Sequence, residues 1–219
     1  ELREKIKEIE FQRRLTLITQ NTQWIHENSK LSLSGIKKIF KTPVRGDGLS
    51  PLLSLIRARK QKILWLADES CDVVIDLTIA KFLADLGHAV IFAVKEAPFF
   101  KKVCLADTRT DPVLVKILET AHFIHEKTIS KNNLVKLLKH DKSIYVVSDG
   151  TRETLNLLLA STTFSRIFKE VDCVISRGKS QKKRLIDSHF RFTQNIINIS
   201  LDKKELLITY KPRHPDFIK

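Results

Sequence analysis

The chain of 219 residues has little of what several chemistries require. Its three cysteines, Cys71, Cys104 and Cys173, are scattered without a CxxC pair. That argues against a disulfide framework and a thiolate zinc site, and predicts a reducing, cytoplasmic location. Glycine is scarce, at six residues, and none forms a G-x-G-x-x-G or G-x-x-x-x-G-K-[ST] loop. Dinucleotide and P-loop nucleotide binding in their usual forms are therefore disfavoured. No G-x-S-x-G elbow is present, and no two of the seven histidines stand as H-x-x-x-H. Two Trp and two Tyr are few for a protein that stacks single-stranded bases. Long apolar runs are also missing. A stretch such as Ala89-Val90-Ile91-Phe92-Ala93-Val94 is far too short to cross a bilayer, and the first residues carry no apolar signal core. No membrane association or secretion signal is expected.

What is present is basic charge and a core. The formal net charge is +14, and 42% of the residues are hydrophobic. Residues 1–60 hold 13 Lys/Arg against 6 Asp/Glu, and residues 177–219 hold 11 against 4. The stretch between them is balanced. Basic ends around a neutral middle suit a nucleic-acid surface, a pocket for a small anion, or simply solvated lysines on helix faces.

The texture changes near residue 61. Residues 1–60 read as a helical N-terminal region. Leu2, Ile6 and Ile9 recur at helical spacing, as do Leu15, Ile18 and Ile25. Thr42–Gly48 reads as a loop, and Ser50-Pro51 as the start of a short helix. Residues 61–219 alternate short apolar β-rich runs with helical runs. The strand candidates are Ile63–Ala67, Ala89–Val94, Ser143–Val147, Asp172–Ser176 and Leu206–Tyr210, with another near Phe123-Ile124. Helices are predicted after Cys71, from Asp111-Pro112, from Ser130 and from about Thr151. This alternation predicts an α/β fold: a Rossmann-like, mostly parallel sheet with helices on both faces.

In such a sheet, ligands bind beyond the carboxyl ends of the strands. Polar residues stand at each predicted end: Asp68-Glu69 after the first, Lys95-Glu96 after the second, Ser148-Asp149-Gly150 and Arg177-Gly178-Lys179 later. The run Asp68-Glu69-Ser70-Cys71-Asp72 lies between a buried strand and a helix start. Ser70 or Asp72 would serve there as a cap. A pair of acids directly at the strand end is also what a hard divalent cation takes. Asp76 follows one helical turn later, and is either on the helix edge or buried with a partner. Asp111 suits the N-cap of the next helix, which leaves Asp107 freer for function.

The runs 62–110 and 172–185 resemble the damage-control phosphatase family, whose domain is also called the ARMT-like metal-binding domain. Three stretches carry the resemblance: Asp68-Glu69-Ser70-Cys71-Asp72 through Asp76, Val94-Lys95-Glu96-Ala97-Pro98 through Asp107, and Asp172 through Arg177-Gly178. The resemblance implies a Rossmann-like sheet with a helical N-terminal region, a divalent metal (Mn, Mg, Co or Ni) and hydrolysis of small phosphorylated metabolites. It makes Asp68 a metal ligand, puts Asp107 in the site, and puts Arg177 where the family has a phosphate-contacting Lys. The chain departs from the pattern at Glu69 for Asn, Cys71 for Gly, and Lys102 for a second metal-binding Asp. Glu69 can still ligate through oxygen, but a protonated Lys102 cannot. Asp72 or Asp107 would then supply the missing ligand, or the chain is a member without metal.

The reading that follows is a phosphohydrolase with Asp68, Glu69 and Asp72 around the metal. Lys95, Arg177 and Lys179 would hold phosphate, and Asp107 or Asp149 would orient water. The alternative is a non-catalytic α/β protein that has lost its metal and holds nucleic acid or another anion through its basic ends.

Overall fold

The structure is a computed structural model and describes residues 1–18, 33–67, 73–139, 144–202 and 205–217. Helix α1 (Leu2–Leu17) leads to α2 (Leu33–Phe40), a two-residue strand β1 (Val44–Arg45) and α3 (Leu49–Ser54). Next come β2 (Lys62–Leu66), α4 (Val73–Asp85), β3 (Ala89–Val94), α5 (Asp107–Thr110), α6 (Pro112–Ile117), β4 (His122–Ile124), α7 (Lys131–Leu137) and β5 (Ile144–Ser148). The chain ends with α8 (Thr162–Glu170), β6 (Cys173–Arg177), α9 (Gly178–Leu185), β7 (Asn195–Asp202), β8 (Glu205–Lys211) and a 3-10 turn at Pro215–Phe217.

The eight strands form one sheet in the order β1-β8-β7-β6-β2-β3-β5-β4. Every pairing is parallel except β7 with β8. The sheet is Rossmann-like and mostly parallel, as the alternating runs predict. Period-two alternation divides its side chains between two cores. Ile63, Trp65, Val90 and Phe92 face α1 and α4, while Leu64, Leu66, Ile91 and Val174 face α8 and α9. Both faces are covered, which is why the strands read as unbroken apolar runs.

Local signals fix several helix starts. Asp111 caps α6 by accepting from the Val113 and Leu114 amides, and Ser130 caps α7 by accepting from the Asn133 amide. Gly87, at φ +98°, turns the chain out of α4. Three expectations differ. The short helix near Ser50 is capped by Gly48, with Pro51 inside its first turn. The predicted Thr42–Gly48 loop contains β1, which pairs with Leu206 and Leu207 of β8. At Gly46 (φ +116°) an added Cβ would lie 1.9 Å from the Ile208 carbonyl oxygen, so only glycine lets this crossing close. Finally, no helix begins at Thr151. Residues 151–160 form an irregular loop, and Ser161 caps α8 through the Phe164 amide. The Ser161 amide donates back to the Asp149 carbonyl at 3.0 Å and closes that loop. No helix among the described residues is long and apolar enough to cross a membrane.

Candidate phosphate site at the carboxyl edge of the sheet

The central strand β2 is flanked by β3 on one side and β6 on the other. Its crossover helix α4 lies on one face, and α9, which follows β6, lies on the other. The strand order therefore reverses between β2 and β6. A crevice at the carboxyl ends of such a pair is where open α/β sheets bind ligands.

Arg177 is the last residue of β6 and stands in this crevice, 5% exposed. Its Nη1 donates to Asp76 Oδ1 on α4 at 2.5 Å, and Asp76 is fully buried. The pair joins the two sides of the switch point with a charge-assisted bond. A glycine follows because the chain turns sharply into α9, with Gly178 at φ +84°. Asn198 on β7 holds that turn by donating to the Ser176 carbonyl (3.3 Å), the Ser176 hydroxyl (3.0 Å) and the Gly178 carbonyl (3.2 Å).

A second buried pair lies beyond the ends of β3 and β5. Lys95 Nζ donates to Asp149 Oδ2 at 2.5 Å and to Thr151 Oγ1 at 2.9 Å. The other Asp149 oxygen accepts from the Thr151 amide and hydroxyl at 2.8 and 3.0 Å. Next to this pair, the Ser148 hydroxyl donates to Glu96 Oε2 at 2.5 Å.

The loop after Lys95 folds back on it. The Lys95 amide donates to the Val103 carbonyl, and the Leu105 amide to the Lys95 carbonyl. This return brings Lys102, half-buried, toward Arg177. Burial first, and then the Arg177 charge, hold the Lys102 ammonium below the usual lysine range. Asp107 sits at the base of the same loop, its Oδ2 accepting from the Cys104 amide at 2.8 Å.

The structure thus places Lys95 with Asp149, Arg177 with Asp76 and Lys102, and Asp107 at the root of the loop joining Lys95 to Lys102. It does not bring Lys179 into this group: its ammonium lies on the exposed side of α9, 3.4 Å from Asp202. Asp68, Glu69 and Asp72, with Ser70 and Cys71, lie outside the described residues. Sequence reasoning missed Thr151 and Asn198 as supports. Thr151 was absorbed into a predicted helix, and an Asn in the middle of an apolar strand gives no local signal of what it bonds.

The described residues do not by themselves fit a metal. Among them, no three His, Cys, Asp or Glu side chains form a group that could hold one. Asp76 and Asp149 are each bonded to a cation, and Lys102 brings positive charge to the corner where an ion would need oxygen ligands.

These features define a Rossmann-like α/β domain with buried, charged side chains at its topological switch point. Residues 18–211 match the model of the damage-control phosphatase ARMT1-like domain, and the chain belongs to that family. A crystal structure of a DUF89 family protein from Pyrococcus horikoshii superposes with a TM-score of 0.61 at 17% identity, over 94% of this chain and 73% of that one. At that identity the likeness speaks for the fold. None of the curated proteins matches the chain.

Proposed function

We propose that the carboxyl edge binds the phosphate of a small phosphorylated metabolite, and that the chain is a phosphohydrolase for it. The family supports a phosphatase-type role in general. The observation that carries the reading is that Lys102 lies close enough to Arg177 at the carboxyl end of β6 to feel its charge, with Lys95 buried at the carboxyl end of β3. Cations gathered in a partly dry corner favour an anion there, because each desolvated positive charge is stabilised by a phosphoryl oxygen. Arg177 is preorganised by Asp76, so little side-chain entropy is lost when it grips phosphate. In this reading Asp149, held by Lys95 and Thr151, or Asp107, at the root of the loop, would orient water.

Metal dependence belongs to the same proposal, with Asp68, Glu69 and Asp72 as the ligands. Manganese, magnesium, cobalt or nickel bound there would supply Lewis-acid stabilisation of the phosphoryl oxygens. The test is hydrolysis of a panel of sugar phosphates with each metal and with chelator. Turnover that needs metal and disappears in Asp68→Ala is expected. Absence of turnover with every metal would refute hydrolysis.

The pairing of Asp76 and Asp149 with cations, together with Lys102, favours a second reading: phosphate binding without turnover and without metal. It predicts that a sugar phosphate binds in chelator with undiminished affinity, measured by calorimetry, and that Arg177→Met removes the binding. Nucleic acid stands as the rival anion. It would show binding to mixed-sequence oligonucleotides that falls steeply with salt and survives Arg177→Met.

A further inference from the structure

A large groove lies away from the carboxyl edge, between α8 and α9 and toward the amino end of β6. Its volume is about 1220 Å³, and its lining runs from Leu155 across α8 to the 190–194 segment and Arg213. Drug-sized pockets span roughly 300–1,000 Å³, so this groove exceeds what one small metabolite fills.

The floor is apolar. Phe168 and Phe192, 7% and 6% exposed, pack ring to ring at 5.9 Å, and Phe190 stands 6.4 Å from Phe192. The rim leaves apolar groups in water: Leu158 is 86% exposed and Phe190 50%. The Leu155–Leu159 run therefore presents leucines to solvent from an irregular loop.

The charge around this floor is net positive, with Lys131, Lys169, Arg184, Arg191 and Arg213 against Glu170, Asp172 and Asp216. Two of the groove's three acids are ion-paired, Glu170 with Lys131 at 3.5 Å and Asp216 with Arg191 at 3.3 Å, while Asp172 accepts from the Lys62 amide at 2.8 Å and keeps its charge. Arg184 donates only to neutral oxygens, the Leu155 carbonyl and the Thr154 hydroxyl, at 3.0 and 2.8 Å. No described carboxylate lies within ion-pair distance of Arg184, Lys169 or Arg213. Lys183 adds further positive charge on the last turn of α9, where Lys182 is paired with Asp187 at 3.7 Å.

We propose that this groove docks an acidic amphipathic helix of a partner protein. Its apolar stripe would lie on Phe168, Phe190 and Phe192, and its carboxylates would face Arg184, Lys169 and Arg213. Helix-in-groove recognition uses this arrangement, with apolar anchors at i, i+3/i+4 and i+7 and charges on the flanks. Arg177, Lys95, Lys102 and Asp149 do not line the groove, so partner binding and phosphate binding are compatible. The proposal does not depend on the phosphohydrolase reading.

The test is fluorescence anisotropy of the whole chain with a labelled helical peptide of about 18 residues, five turns at 3.6 residues per turn. The probe carries Leu on one stripe and Glu elsewhere. Its controls are a scrambled peptide of the same composition and a version with Lys in place of Glu. Saturable binding of the first peptide alone is expected. Phe190→Ser and Arg184→Glu should each weaken it about tenfold, which is about 1.4 kcal/mol. Inorganic phosphate should leave it unchanged. Thermal melts of both variants would show that the chain is still folded. Equal binding of the scrambled peptide would overturn the helical stripe, and equal binding of the Lys version would overturn the charge argument. Displacement by mixed-sequence oligonucleotides would assign the groove to nucleic acid. No binding of any peptide would overturn the proposal outright.

Discussion

The two ends of the sheet handle charge in opposite ways. At the carboxyl end, Arg177, Asp76, Lys95 and Asp149 are all at least nine-tenths buried, and each has an opposite charge within 2.5 Å. Toward the amino end, Arg184 and Lys169 are exposed around an apolar floor, and the deeply buried His88 and Cys173 are both pushed by burial toward their neutral forms. Burying a charge costs several kcal/mol unless a partner is fixed beside it. A fold that accepts this cost at one end only is concentrating preorganised charge where a ligand can use it. At the other end the charges of Arg184 and Lys169 stay in water, which is what the proposed partner helix would use.

The sharpest way to break this contrast is to remove the carboxylate from one buried ion pair. Asp76→Ala removes the carboxylate that the Arg177 guanidinium, 5% exposed, donates to at 2.5 Å. A loss of about 3–5 kcal/mol is expected, seen as a fall in Tm on the order of 10 °C for a chain of this size. Replacing both residues, Asp76→Leu with Arg177→Met, should recover most of that stability but not phosphate binding. Calorimetric melts and phosphate titration of the single and double variants separate the two effects.

His88 tests the amino end. Its ring accepts from the Gln61 amide through Nδ1 at 3.2 Å, and bonds the Leu55 carbonyl through Nε2 at 2.8 Å. This requires the neutral tautomer with the proton on Nε2. Burial holds its pKa below the usual histidine value, and the Leu55 carbonyl only partly offsets that. The folded state therefore resists protonation. Stability is full above about pH 6.5, the unfolded value, and is lost as pH falls from there through the folded pKa. His88→Ala, which orphans two buried backbone groups, should cost about 2–3 kcal/mol at pH 7.5 and flatten the decline between pH 7 and 5. A variant whose Tm falls with acid as steeply as the parent would remove His88 as the cause.

Much of the carboxyl edge was legible in sequence, because apolar strands end where polar residues begin. Lys95, Asp149 and Arg177 announce themselves as the first ionisable groups after a buried run. What each of them meets was not legible. Asp76 and Arg177 are 101 positions apart and are joined only by the strand order, and no periodicity encodes that. The same limit explains the loop after Gly150. Leu155, Leu158 and Leu159 have helical spacing, but the Thr151 side chain bonds Asp149 and the Ser161 amide returns to the Asp149 carbonyl. Tertiary tethers outweigh the local pattern and leave Leu155 and Leu158 lining the groove. The division of the acid run into ligands and caps stays with Asp68, Glu69 and Asp72, outside the described residues.

Lys95 and Asp149 give a smaller, more discriminating prediction. Thr151 satisfies one oxygen of Asp149 whether or not Lys95 is present, with two bonds of 2.8 and 3.0 Å. Lys95→Met should therefore cost less than Asp76→Ala. A double-mutant cycle with Asp149→Asn should return a coupling of about 1–2 kcal/mol, within the range for residues in direct contact.

The smallest expected effect belongs to the groove. Phe190 and Leu158 are too exposed to support the core, so Leu158→Ser and Phe190→Ser should each shift stability by no more than about 0.5 kcal/mol, as surface substitutions do. Exposed apolar side chains of this size contribute little to folding and add surface that associates. Near-zero change in Tm, together with lower self-association on sizing, would show that these positions answer to something other than the fold. A destabilisation equal to that of a core residue such as Phe168, 7% exposed, would instead make them part of the structure, and would erase the difference between the two ends of the sheet.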